Sequence, residues 1–258
     1  MRSHEVDYKL YGDDMQFVEI ELDSSETIIA EAGSMMMMDD GITMDTIFGD
    51  GSSNGGNKLF GAAKRVLTGE SLFMTAFTNS ARGKQKVSFA APYPGKIIPV
   101  DLSQVGGKLI CQKDAFLCAA KGVSVGIDFR KKLGVGFFGG EGFILQKLEG
   151  DGLCFVHAGG TIIEKKLAPG ERLKVDTGCL VAMTQDVRYD IQFVGGIKNS
   201  LFGGEGFFFA SLTGPGSVWI QSLPFSRLAS RVFASAPQLH GNQKDQGGIL
   251  GNFGNFFD

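Results

Sequence analysis

The sequence Phe-Gly-Gly-Glu-Gly-Phe occupies residues 138–143 and returns unchanged at residues 202–207. The flanking residues repeat at the same offset: 12 of the 34 positions from 123 to 156 are identical to the positions 64 residues later. A composition rich in Gly and Phe gives about two or three such identities by chance. The match therefore indicates an internal duplication, and a repeat of this size constrains the whole fold.

A third and more diverged copy lies upstream, where residues 69–73 read Gly-Glu-Ser-Leu-Phe. The three copies also begin alike, because residues 27–30, 108–111 and 172–175 are similar short apolar segments. The sequence predicts three similar β modules and a tail, with these bounds: residues 1–95, 96–160, 161–232 and 233–258. The first module carries an insertion at about 49–68, a Gly-rich loop followed by a short helix.

Within each module the pattern has a period of two residues, which is typical of half-buried strands. Residues 188–194 alternate polar and apolar side chains, and Pro or Gly occupies the turns at 149–152, 168–171 and 213–216. The fold class is therefore all-β. Because each module must bury an apolar face that it cannot bury alone, we expect the three to pack about a pseudo-threefold axis. Residues 225–232 are expected to form a short helix.

Several motifs together resemble the altered-inheritance-of-mitochondria (mitochondrial biogenesis) family. They are residues 32–35, residues 69–74, the two Phe-Gly-Gly-Glu-Gly-Phe boxes and residues 153–160. The resemblance runs from about residue 6 to residue 232. It implies a fold similar to that of the trp RNA-binding attenuation protein, whose subunits form a ring, and it implies a bacterial member with no assigned activity.

Charge and hydropathy narrow the function classes. Lys and Arg number 25 against 28 for Asp and Glu, so the net charge of −3 disfavours nucleic-acid binding. No apolar run approaches the ~20 residues that a spanning helix needs. The N-terminal segment is charged where a signal peptide would be apolar, and it lacks the Arg-rich, acid-poor composition of a transit peptide, so we expect a cytoplasmic protein.

The repeated boxes supply one set of candidate binding residues, the equivalent glutamates Glu70, Glu141 and Glu205. Converging carboxylates would bind a hard cation such as Ca²⁺ or Mg²⁺. Alternatively, each carboxylate accepts hydrogen bonds from the backbone of its own Gly-rich turn. We favour the second interpretation, because residues repeated in every module usually serve the structure.

The inserted helix supplies a second set. Its polar side carries Lys58, Lys64 and Arg65, and Phe60 lies on its apolar side. Such a basic amphipathic element suits a membrane surface or a groove on a protein partner. We favour the alternative, an ordinary surface helix that docks on the β modules.

No residue set predicts catalysis. The four cysteines have no C-x-x-C spacing and are expected to be free thiols. Cys154 and His157 are three positions apart in a strand, which directs them to opposite faces and prevents a nucleophile–base pair. A G-x-G-x-x-G spacing at 134–139 lacks the strand–helix context of a nucleotide site. The methionine run 35–38 is expected to pack mainly in the core.

We therefore expect no catalytic residues, no metal and no cofactor. The leading hypothesis is a non-enzymatic assembly, scaffold or binding module that acts through its surfaces on a protein partner or on itself. The alternative is a small-ligand or metal-binding protein with equivalent clefts between the modules. A weaker alternative is single-stranded RNA binding by analogy of fold.

Overall fold

The computed structural model describes residues 3–48, 73–131, 143–194 and 207–235. Within these residues the chain forms the following strands and one α-helix, in chain order: β1 (Asp7–Tyr11), β2 (Phe17–Leu22), β3 (Thr27–Glu31), β4 (Met35–Met38), β5 (Ile42–Phe48), β6 (Phe73–Asn79), β7 (Gln85–Ala90), β8 (Gly95–Asp101), β9 (Lys108–Gln112), β10 (Phe116–Ala120), β11 (Ser124–Lys131), β12 (Phe143–Glu149), β13 (Leu153–Gly159), β14 (Ile162–Leu167), β15 (Arg172–Asp176), β16 (Leu180–Thr184), β17 (Arg188–Val194), β18 (Phe207–Thr213), β19 (Gly216–Gln221) and α1 (Phe225–Ser235). Short 3-10 turns occupy Leu102–Val105, Lys113–Ala115 and Thr177–Cys179.

Strand β2 illustrates why these segments form strands. Val18, Ile20 and Leu22 alternate with glutamates and are completely buried. Glu19 and Glu21 lie on the other face and pair with lysines of the neighbouring strand β7 and its turn. Because successive side chains of a strand point to opposite faces, this alternation buries the apolar side chains only when one face of the sheet is covered.

The strands form four antiparallel sheets. Sheet I has the order β1-β2-β7-β4, and sheet II has the order β5-β6-β3-β10-β13-β8. Sheet III has the order β11-β12-β9-β16-β19-β14, and sheet IV has the order β15-β18-β17. Apolar clusters fill the interfaces between sheets I and II, II and III, and III and IV. The four sheets therefore stack face to face.

Each interface contains large side chains that are fully excluded from water. Phe77 of sheet II meets Phe89 of sheet I edge to face, with ring centroids 5.1 Å apart. Leu109 of sheet III packs with Cys154 of sheet II in the central cluster. Leu145 of sheet III and Leu212 of sheet IV belong to the last cluster. Burial of such side chains stabilises the fold by about 1.5–3 kcal/mol each.

One pattern of pairing occurs in three consecutive groups of strands, β2 to β7, β8 to β13 and β14 to β19. In each group the first and third strands pair with the sixth, and the second and fourth strands pair with the fifth. Consecutive groups are joined when the second strand of one pairs with the third strand of the next, as in β3–β10 and β9–β16. Each six-stranded sheet is thus assembled from two groups.

The expected all-β class is confirmed, and so is the C-terminal helix, which continues to Ser235. All four cysteines are free, and three of them are buried. The inserted helix and residues 138–142 and 202–206 of the two boxes lie outside the described residues. The arrangement about a pseudo-threefold axis stays a prediction.

The expectation that the methionine run packs mainly in the core is wrong. Met35 is half-buried, whereas Met36, Met37 and Met38 are exposed. The reason is the position of β4 at the end of sheet I, where no further strand covers it within the described part of the chain.

Candidate interaction surface

Strand β4 ends sheet I, although the corresponding strands β10 and β16 lie inside their sheets. It pairs only with β7 within the described residues, with Met35 opposite Phe89 and Met37 opposite Ser88. The register shifts between these two pairs, and the same shift occurs between β10 and β13 and between β16 and β19. The three strands therefore occupy equivalent positions, but only β4 has a second edge without a described partner.

Exposure separates β4 from its counterparts. Met36, Met37 and Met38 are 45%, 48% and 39% exposed, whereas every residue of β10 is buried. Methionine has a flexible and polarizable side chain that adapts to different partners. A row of exposed methionines beside unpaired backbone groups is a ready surface for contact with another strand.

Strand β15 ends sheet IV in the same way. It pairs only with β18 within the described residues, whereas the corresponding strands β3 and β9 are paired on both sides. Arg172 and Lys174 are exposed, and Val175 faces the cluster between sheets III and IV. At the end of the strand, Asp176 accepts a hydrogen bond from the backbone N–H of Gly178 and forms a 3.1 Å ion pair with Arg227 of α1.

The two strand ends carry opposite charge. Asp39 and Asp40 follow β4 and are exposed. The carboxylate of Asp39 accepts a 2.8 Å hydrogen bond from the backbone N–H of Lys86, so it is held against β7. Asp40 lies in the turn before β5. An acidic end on β4 and a basic face on β15 make the two edges electrostatically complementary.

His157 is the most deeply buried histidine among the described residues. It is 3% exposed, and its ring meets that of Tyr93 edge to face at 4.5 Å. Among the residues that the structure describes, neither ring nitrogen has a hydrogen-bond partner of normal geometry. Burial lowers the pKa of His157 to about 4, against a weaker opposing effect of the Tyr93 backbone. The ring is therefore neutral at pH 7.

Cys154 and His157 do not form a catalytic pair. Cys154 packs in the cluster between sheets II and III, with its Sγ 3.5 Å from the carbonyl oxygen of Val100. Burial raises the pKa of this thiol, which keeps it protonated and unreactive. The sequence prediction that the two side chains lie on opposite faces agrees with these contacts.

Glu31 ends β3, the strand that pairs with β10. Burial, with a smaller contribution from Asp114, raises the pKa of Glu31 to about 7, and Lys113 acts in the opposite direction. The carboxyl group therefore keeps its proton to a higher pH than an exposed glutamate does. The sequence pattern around Glu31 does not indicate this burial, because it depends on the pairing of β3 with β10.

A groove of about 430 Å³ lies beside the N-terminal segment. It is lined by Ser3, His4, Glu5, Val6, Asp101, Ser103, Asp151, Gly152 and Leu153. The Asp101 carboxylate accepts hydrogen bonds from the N–H and hydroxyl of Ser103, and the Asp151 carboxylate accepts one from the N–H of Ser3. Ser3 thereby lowers the pKa of Asp151. In the described parts of the chain, no three His, Cys, Asp or Glu side chains have an arrangement suited to a metal ion.

The structure does not test the residues that the sequence proposed as sites. Glu70, Glu141 and Glu205 lie outside the described residues, and so do Lys58, Phe60, Lys64 and Arg65. The described helix is too short to span a membrane. The sequence interpretation did not predict that β4 and β15 are open edges. One signal was present, because the four consecutive methionines 35–38 differ from the residues at the equivalent positions of the other two modules.

Comparison with known proteins gives consistent matches along most of the chain. A family model described as mitochondrial biogenesis AIM24 matches residues 8–223. An uncharacterised protein of Streptococcus pyogenes serotype M6 is 30% identical over 222 residues, which are 84% of this chain and 86% of the relative. The fold is similar to a crystal structure of a Streptococcus pyogenes protein, with a TM-score of 0.71, 25% identity, and coverage of 90% of this chain and 100% of that one. Since the family model extends over residues 8–223, this chain belongs to the mitochondrial biogenesis AIM24 family.

Proposed function

We propose that the protein is a non-enzymatic assembly or binding module that acts through the sheet edges formed by β4 and β15. The observation that carries the proposal is the exposure of Met36, Met37 and Met38 on a strand whose counterparts β10 and β16 are interior strands. An unpaired edge offers backbone N–H and C=O groups to an added strand, and neighbouring side chains select that strand. We place this role in the cytoplasm.

The proposal includes the architecture expected from the sequence. Three similar modules, at residues 1–95, 96–160 and 161–232, would pack about a pseudo-threefold axis, followed by the tail 233–258. The pattern of pairings in the three groups of strands supports this division. In this arrangement two strand pairings link the three modules, β3–β10 and β9–β16. The third equivalent pairing, β15–β4, is not formed among the described residues, so β4 and β15 are left as open edges.

A photo-cross-linking experiment tests whether β4 is a contact surface. A benzophenone amino acid replaces Met37 in the full chain, and the matched control replaces Ile163, which is 54% exposed on β14 at the end of sheet III. We expect discrete protein adducts on irradiation in bacterial cells from position 37 and none from position 163. Equal labelling at both positions, or no discrete adduct at position 37, would contradict the proposal.

A small-molecule panel tests the non-enzymatic part. Saturable turnover by the purified chain that persists in a Met37→Lys variant would show an activity independent of the edge. We expect no turnover above the rate of a heat-inactivated sample.

The groove beside Ser3 favours a second candidate function, binding of a small ligand or a divalent cation. Asp101 and Asp151 each retain an oxygen that no described hydrogen bond uses. Ca²⁺, Mg²⁺ or a free amino acid that bound there would raise the midpoint of thermal unfolding, and Asp151→Asn would abolish the rise. Absence of a shift with each of these probes would exclude this candidate for the classes tested.

RNA binding and membrane contact stay predictions. The net charge of −3 opposes the first, and salt-sensitive retention on single-stranded RNA would be needed to support it. Contact of residues 58–67 with a membrane surface would require co-sedimentation with anionic vesicles that is lost in a Lys64→Glu, Arg65→Glu variant.

A further inference from the structure

We infer that β15 of one copy of this chain pairs with β4 of a second copy, so that copies assemble head to tail. The inference rests on the proposed function, because it names the partner of the open β4 edge. Two observations support it. The first is the pair of strand pairings that already join consecutive groups within the chain, β3–β10 and β9–β16, which we call the internal joints. The second is the set of residues that occupy the equivalent positions of β15 and β4.

The internal joints define the register. In the joint β3–β10, Ala30 lies opposite Cys118. In the joint β9–β16, Cys111 lies opposite Ala182. Ala30 and Cys111 are equivalent positions in the sequence repeat, so both joints use one register.

The same register can be transferred to the open edges. Val175 takes the place of Ala30 and Cys111 in the repeat. Met37 takes the place of Cys118 and Ala182, because each of these three residues is the first paired residue after the register shift on its own strand. An antiparallel β15–β4 pair would then set Met37 opposite Val175, Met38 opposite Lys174, and Asp40 opposite Arg172.

Burial in the internal joints indicates what Met37 would contact. Cys118 belongs to the cluster between sheets I and II, which is the core of the preceding group of strands. Ala182 likewise belongs to the cluster between sheets II and III. By the same rule Met37 would cover Val175 and the cluster between sheets III and IV of the other copy. Its present exposure of 48% would fall on assembly.

Charge selects this pair of edges over others. The exposed Arg172 of β15 would lie opposite the exposed Asp40 that follows β4. Lys174 occupies the position on β15 that Ile29 and Ile110 occupy in the internal joints. A lysine on an edge strand opposes pairing with a neutral strand. The joint between copies is therefore weaker and more selective than the internal joints, and it is reversible.

A second copy fits better than closure within one chain. Both edges are unpaired among the described residues, and Met36, Met37 and Met38 of β4 remain 39–48% exposed in a single chain. Each copy carries one β4 edge and one β15 edge, so the contact is heterologous and leads to rings or to open filaments.

Disulfide trapping between variants that each carry one added cysteine tests the pairing directly. In every variant the half-buried Cys179 is replaced by Ser, and the other three native cysteines are buried. Full-length Met38→Cys and Lys174→Cys proteins of different mass are mixed under mild oxidation, because opposite residues of an antiparallel pair lie within disulfide reach. The control mixture contains Met38→Cys with Lys166→Cys, an exposed position on β14. We expect the yield of mixed disulfide to be at least tenfold higher in the first mixture than in the control mixture. Equal yields would overturn the inference.

Association measured by sedimentation provides a gain-of-function test that does not depend on damaging the fold. Lys174→Ile restores the residue type of the internal joints and should lower the dissociation constant of self-association at least fivefold, whereas Lys166→Ile should leave it unchanged. Arg172→Glu should raise it at least tenfold, and adding Asp40→Lys should return it to within threefold of wild type. An Arg172→Glu effect that Asp40→Lys does not reverse would contradict the register.

The result separates failure of this inference from failure of the proposed function. A double variant, Met38→Cys with Lys174→Cys, that cross-links only within one chain would show intramolecular closure and overturn the second-copy partner. If position 37 then still gave discrete adducts with a different protein, the binding function would stand. If position 37 gave no adduct and the chain remained monomeric at all concentrations, both would fail.

Discussion

The side-chain amide of Gln221 joins the two large sheets through a hydrogen bond to Gly159. Its Oε1 accepts a 2.7 Å hydrogen bond from the backbone N–H of Gly159, which ends β13 in sheet II. Its Nε2 donates a 2.8 Å hydrogen bond to the carbonyl oxygen of Gly178, in the turn that links sheet IV to sheet III. Gln221 is 5% exposed, so water does not replace these contacts. One buried amide thus ties sheet III to sheet II and to the turn that follows sheet IV.

Replacement of Gln221 by Ala should lower the free energy of unfolding by about 2–3 kcal/mol, because it leaves a buried N–H and a buried C=O unpaired. The measurement is urea unfolding followed by fluorescence of the single tryptophan, Trp219. The control is Gln192→Ala, which removes an exposed amide bonded only to Asp190 among the described contacts and should change stability by less than about 0.5 kcal/mol. Similar losses in both variants would show that the buried amide has no special role.

Gly95→Ala should also destabilise the fold, by about 1–3 kcal/mol. A Cβ atom at Gly95 would overlap the carbonyl oxygen of Ala158 and would lie 2.7 Å from Nε2 of His157. Gly126→Ala in β11 is the control, because its Cβ would meet only the flexible side chain of Lys147, at 3.3 Å. Thermal unfolding of the two variants should therefore differ, and an unchanged midpoint for Gly95→Ala would mean that β8 and β13 are not closely packed there.

His157 should make stability fall as the pH is lowered. Its folded-state pKa of about 4 lies below the ordinary value of 6.5, so the unfolded chain binds the proton more tightly between these values. The stability is complete above pH 6.5 and is lost as the pH falls towards 4, by roughly 3 kcal/mol in total. In His157→Phe, the curve of unfolding free energy against pH should be flatter in this window. Parallel curves for the two proteins would contradict the burial of the imidazole.

Glu31 should act in the opposite direction. Its folded-state pKa of about 7 lies above the ordinary value of 4.5, so the charged carboxylate is disfavoured in the folded chain above pH 7. Glu31→Gln should raise the free energy of unfolding by about 1–3 kcal/mol at pH 8, and the gain should disappear as the pH falls towards 4.5. The control is Asp13→Asn, an exposed residue between β1 and β2, which should change stability little. A gain for Glu31→Gln that is constant from pH 8 to pH 4.5 would exclude the proposed cause.

The local structure was largely predictable from the sequence, because it depends on patterns of side chains along one segment. The alternation in residues 188–194 coincides with β17, and the helix expected from residue 225 begins there. The correspondence of Ala30 with Cys111 in the repeat matches their equal registers in β3–β10 and β9–β16. Periodicity therefore identified strands and their equivalence.

The candidate surface was not predictable in the same way. Whether Met37 is buried depends on which strand lies beside β4. In the internal joints the paired residues are 88 positions apart (Ala30 and Cys118) and 71 positions apart (Cys111 and Ala182). The neighbour inferred for β4 belongs to another chain. The pKa of Glu31 depends similarly on β10 and on Asp114. Long-range pairing decides both properties, and no local pattern reports it.

The joint between β3 and β10 has a consequence for synthesis on the ribosome. Strand β3 ends at Glu31, and its partner β10 begins at Phe116. At about 5–20 residues per second, elongation leaves the outer edge of β3 waiting for roughly 4–17 s before its neighbour is made. During this interval the nascent chain exposes an unpaired strand edge of the kind that the finished protein keeps at β4. On a polysome that carries many nascent copies, neighbouring chains would therefore be prone to premature strand pairing. Slower decoding of residues 31–116 should therefore reduce the yield of folded protein more than slower decoding of residues 188–221, where strands β17, β18 and β19 follow one another closely.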